Sequence, residues 1–190
     1  HYEDRLNNPI CEVLENTDHL LDIHSYGSKG SSFAFLGNSE EENEFARAIG
    51  TKNFVYGWAD AFGSSGKDKD EGVGTTEYAR KFGAKAITLE AGHHHNSDNI
   101  DVAYNAIISA FKYLKMIEGE AKIIAKSECK CAKMQKVFYK EREGGFVSDV
   151  KHMSHFAKGD VIARYTDGEE LFAEHDGYAV SYTHLRAHET

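Results

Sequence analysis

No apolar run in this chain approaches the roughly 20 residues that a membrane-spanning helix needs, and no signal peptide is visible. Basic residues are scarce: 22 Lys and Arg against 31 Asp and Glu leave a net charge of −9. A concentrated basic surface for a phosphate backbone is therefore missing, which excludes nucleic acid as the expected partner. A small anionic substrate stays admissible if local positive charge meets it. Cysteine is sparse as well. Cys11, Cys129 and Cys131 are odd in number and lack framework spacing, and Cys129-Lys130-Cys131 is too short for the C-x-x-C redox or zinc pattern. Free thiols in a reducing cytosol, and a cytoplasmic location, are the expectation.

What is present suffices for a soluble globular chain. Apolar residues make up 41% and aromatic residues 12% of 190 residues, enough for one larger domain and a small second one. Asn8 and Pro9 read as the cap and first position of a helix running through Ile10, Val13 and Leu14. A strand through His24 follows, then a short strand over 33–36, a helix over 40–49 and a strand over 53–56. Glycines and charges from Gly63 to Gly74 read as a loop, either a solvated connection or a lid beside a site. A helix from Thr75 or Thr76 stops at Phe82-Gly83, and a second strand comes directly after it. Ile100, Ala103, Tyr104, Ile107, Phe111, Leu114 and Ile117 then mark a long amphipathic helix. From about residue 119 the texture becomes short strands broken by Gly144-Gly145, Lys158-Gly159-Asp160, Asp167-Gly168 and Asp176-Gly177, the spacing of an all-β unit.

Two segments of this α/β pattern point to chemistry. Leu20-Leu21-Asp22-Ile23-His24-Ser25 and Ile87-Thr88-Leu89-Glu90-Ala91-Gly92 each carry one functional side chain at the end of an apolar run. In open α/β sheets ligands bind outside the carboxyl ends of the strands. An imidazole at one strand end and a carboxylate at another are parts of a metal-assisted hydrolase: a ligand, and a base for water that the metal activates. Asp22 lies on the same face of its strand as His24 and suits a supporting carboxylate. Glu90 ends a strand that reads as buried, where a charge is costly unless paired or functional. Tyr26 would line the pocket, and His93-His94-His95 read either as a solvated loop or as groups at the mouth of the site.

These motifs, with the Gly-punctuated β pattern after residue 132, resemble the succinylglutamate desuccinylase/aspartoacylase family, a branch of the zinc carboxypeptidase-like hydrolases. The resemblance runs to about Val180. It implies an α/β fold with a zinc carboxypeptidase-like mixed sheet flanked by helices, and a small C-terminal all-β, barrel-like domain. Residues 1–118 would be the catalytic domain, 119–180 the β domain, and 181–190 a non-native tail. His24 would be a zinc ligand and Glu90 the general base and proton shuttle. Arg80, ten residues before Glu90, stands where such proteins place an arginine for the substrate carboxylate, or is a helix-surface arginine. The substrate would be a small N-acyl amino acid such as N-succinylglutamate or N-acetylaspartate. A carboxypeptidase-like peptidase and a metal-free binding module are the alternatives.

The family takes its other two zinc ligands from a His-x-x-Glu motif followed by an Asp-Leu-Asn-Arg-like segment. This sequence has neither, and it starts at His1 without an initiator Met. The expectation is a fragment lacking its first quarter or third, and so inactive alone, since one imidazole does not make a three-ligand catalytic site. The β domain also lacks the Met-Lys-Met or Asp-Lys hairpin that would carry a prosthetic group.

Overall fold

A computed structural model describes residues 2–27, 29–37, 39–63, 74–138, 142–148 and 150–180. The loop expected between Gly63 and Gly74 lies mostly outside them, and the tail at 181–190 wholly so. In chain order come α1 (Tyr2–Glu15), β1 (His19–Tyr26), β2 (Phe33–Phe35), α2 (Glu40–Ala48), β3 (Asn53–Tyr56), α3 (Trp58–Gly63), α4 (Thr75–Lys81), β4 (Lys85–His93) and α5 (Asp98–Tyr113). Then follow β5 (Lys130–Lys133), β6 (Gly144–Phe146), β7 (Ser154–Phe156), β8 (Val161–Tyr165), β9 (Glu170–Phe172) and β10 (Gly177–Ala179).

Five strands form a mixed sheet in the order β1-β4-β2-β3-β5. β1 runs parallel to β4, β2 antiparallel to β4, and β3 parallel to both β2 and β5. The chain is therefore α/β with a mixed sheet flanked by helices. Alternation along β4 divides the two faces. Ile87 and Leu89 pack with Phe45, Ala46 and Ile49 around α2 and with Ala106 and Ala110 of α5. Ala86, on the opposite face, packs with Leu14 of α1 and Ala79 of α4. The fully buried alanines Ala46 and Ala106 leave room for helices to approach the sheet closely.

The edge strand β5 comes from beyond residue 119, and the all-β elements follow it as a three-stranded sheet, β6-β8-β9, and a β7-β10 pair.

Two features differ from the sequence expectation. Pro9 lies inside α1, not at its first position. Proline's fixed φ is itself helical, and the loss is one backbone donor and crowding of the carbonyl four residues back. Residues 5–10 are exposed, so that carbonyl can be hydrated. β4 also runs three residues past Glu90.

Ser39 caps α2 through a reciprocal box: the Glu42 N–H donates to Ser39 Oγ at 3.2 Å, and the Ser39 N–H donates to Glu42 Oε2 at 3.2 Å. Ser39→Ala should lower unfolding free energy by about 1 kcal/mol in urea titration; an unchanged midpoint would remove the cap from the account.

Candidate active site

The pairing of β1 with β4 sets His24 directly opposite Glu90. Neighbouring residues in register share a face, so Asp22, His24, Thr88 and Glu90 project together. On the other side of β4, Phe33 of β2 is opposite Glu90 and Phe35 opposite Thr88. Glu90 thus sits between an imidazole on one strand and an aromatic ring on the next.

His24 Nδ1 lies 4.0 Å from Glu90 Oε1. On the far side of the ring, Nε2 is 3.0 Å from Asp22 Oδ1, and Asp22 Oδ2 accepts from Thr75 Oγ1 at the start of α4. Asp22 therefore orients the imidazole and directs Nδ1 toward the Glu90 side. The hydrogen bond between them holds the Asp22 carboxyl below its usual range, with Thr75 assisting, and raises His24 above its own. Glu90 is fully buried, 0% exposed, whereas the His24 side chain is 39% exposed. The half-open imidazole lines a cleft that also borders Asp22, Arg80 and His152, and the Glu90 carboxylate is buried behind it.

A bulge follows Glu90, because the register slips between His24 and Tyr26. Gly92 adopts φ +133°, and a Cβ there would lie 2.5 Å from the Asn99 side chain, so the glycine of the motif is required by backbone and by space. Beyond it Tyr26 pairs with His93. Tyr26 is buried, donates to the Ser31 carbonyl at 2.8 Å, and has its phenol pushed up to about 12 by burial, with the Glu90 charge adding to it. His93 closes the strand, while His94 and His95 are exposed in the turn, where His94 Nδ1 lies 2.7 Å from Ser25 Oγ.

Arg80 is engaged in the scaffold. Its Nε donates to Glu42 Oε1 at 2.6 Å, one terminal nitrogen to Glu77 at 3.2 Å and the other to the Ala86 carbonyl at 2.5 Å. The Ala86 N–H donates to the same Glu42 oxygen at 3.2 Å. β2 pairs with β4 only as far as Thr88, so Glu42 and Arg80 take the backbone groups of Ala86 that a longer strand would have taken.

His152 is the site residue that the sequence did not disclose. It is 6% exposed, stacks on Phe33 with centroids 4.0 Å and planes 14° apart, and neighbours Tyr26 at 5.9 Å. A lone histidine in a polar stretch gives no periodic signal; only tertiary register brings it here. Burial pushes it down to about 4, against the opposing pull of Glu90. The unfolded chain takes up a proton near pH 6.5 that the folded chain refuses until about pH 4. Stability is therefore fully present above pH 6.5 and falls as pH drops through that window, by up to about 3 kcal/mol. His152→Phe should flatten that slope in urea unfolding between pH 7 and 4.5; an identical slope would assign it to other groups.

Among the described residues no group of three or more His, Cys, Asp or Glu side chains could hold a metal ion. The His24 ring has Nε2 engaged by Asp22 and Nδ1 directed inward, and these residues alone do not make a zinc site. No helix among them is long and apolar enough to cross a membrane.

Neither a family model nor a curated protein matches the sequence. Solved structures match the fold. Succinylglutamate desuccinylase from Vibrio cholerae aligns at TM-score 0.62 and 18% identity over 92% of this chain and 52% of its own. A succinylglutamate desuccinylase/aspartoacylase from Rhodobacter sphaeroides aligns at 0.61 and 16%, over 87% and 53%. The ectoine utilization protein EutE (DoeB) from Ruegeria pomeroyi aligns at 0.60 and 18%, over 88% and 55%. The chain spans about half the length of the structures it matches.

Proposed function

We propose that this chain belongs to the succinylglutamate desuccinylase/aspartoacylase family and carries the base and one zinc ligand of a cytoplasmic deacylase. In the intact protein the reaction is hydrolysis of the amide of an N-acyl amino acid. The observation that carries this reading is the register of β1 against β4, which sets His24 opposite a fully buried Glu90 with Asp22 bracing the imidazole. The fold shared with a desuccinylase supports it.

Bound zinc would supply Lewis acidity toward the acyl carbonyl and lower the pKa of water, with His24 Nδ1 as one ligand and the others from residues outside this chain. Glu90 would accept a proton from the attacking water and return it to the departing amine. Its burial against Phe33 excludes bulk water that would otherwise compete for that proton. Asp22 would hold the His24 ring in one tautomer. Arg80 has five N–H donors, three of them engaged among the described residues; the others would reach the substrate carboxylate.

Release of free amine from N-acetylaspartate and N-succinylglutamate tests the reading. Turnover that chelator abolishes and zinc restores is expected from the intact protein; peptide cleavage without turnover of either compound would replace the deacylase by a peptidase.

A further inference from the structure

Both ring nitrogens of His152 are buried, and among the described residues neither has a hydrogen-bond partner. A buried polar group left this way is costly and is retained where something else satisfies it. The surroundings are built to hold the ring in place. The His152 backbone N–H donates to the Lys29 carbonyl at 3.0 Å, and the backbone N–H of the next residue, Met153, donates to the Ala179 carbonyl at 2.8 Å. Gly30 makes room, since a Cβ there would lie 2.5 Å from His152 Cβ. The ring lies on Phe33, the cross-strand neighbour of Glu90, and borders the same cleft as His24.

The geometry points to His152 as a substrate-binding residue, an inference that rests on the deacylase reading above: its neutral imidazole pairs with the uncharged acyl amide of the substrate beside Glu90. A neutral imidazole offers one N–H and one acceptor nitrogen, and an amide offers one N–H and one carbonyl oxygen. The low basicity that burial imposes keeps the ring neutral at physiological pH. The Glu90 charge, felt at His152, repels a substrate carboxylate from this end. The segment after β6 would thus contribute a specificity determinant as well as a wall of the cleft.

Histidine ring NMR signals of the intact protein, followed while N-acetyl-L-aspartate is added, test this. The His152 signal, assigned by its loss in His152→Phe, is expected to move saturably. His152→Phe keeps an aromatic ring on Phe33 and should weaken binding about tenfold. His152→Gln keeps a donor and an acceptor and should recover most of that loss. A His152 signal that stays still while the His24 signal moves overturns the inference and leaves the deacylase standing. No saturable movement at either residue overturns both.

Discussion

Glu90→Gln should lower kcat for amide hydrolysis by the intact protein roughly a thousandfold while leaving the fold in place. Glutamine keeps the size and planarity of the buried side chain but cannot accept and return a proton, and general acid–base catalysis contributes on the order of 10²–10⁴ in rate. KM should change little, because the base acts mainly in the transition state. Steady-state kinetics with a parallel melting curve checks both halves. A kcat within about tenfold of wild type would remove Glu90 from proton transfer.

Arg80→Ala should cost about 3–5 kcal/mol of stability, the range for breaking a buried ion pair by deleting one partner. The change leaves the buried Glu42 carboxylate without its 2.6 Å guanidinium contact and leaves the Ala86 carbonyl without a donor. Glu42 still accepts from the Ala86 N–H and from the α2 cap, so the loss should appear as loosening where α2, α4 and β4 meet. Urea unfolding and hydrogen exchange at Ala86 measure it; a loss below about 1 kcal/mol would make Arg80 a surface residue energetically. A role in gripping substrate as well would appear as a raised KM in Arg80→Lys, which keeps the charge but not the planar fork.

Much of the architecture was legible because it is local. The buried run leading to Glu90 and the acidic start of α2 are patterns of neighbouring residues. So were the two segments that carry His24 and Glu90. Their pairing was not: that they stand opposite each other depends on a parallel register between strands distant in sequence, which no local pattern encodes. The apolar stripe expected on α5 is not its buried face: Ile100, Tyr104, Ile107 and Phe111 are exposed, and the small residues Ala106 and Ala110 meet the core instead. Arg80 was conspicuous by its spacing, yet the Glu42–Ala86 brace becomes visible only once β2 is seen to stop short along β4. His152 was invisible for the same reason, since its place on Phe33 is set by tertiary packing. The Gly92 bulge lies between: the residue marked a motif, and the structure supplies its cause.

The proposed function makes His24 and Glu90 part of a zinc hydrolase site whose remaining ligands are not among the described residues. Translating the encoding DNA in frame upstream of the His1 codon tests it most directly. A strand followed by His-x-x-Glu and then an Asn-Arg pair is expected there. An in-frame start codon with no such motif would contradict it and leave a metal-free binding protein on the same fold.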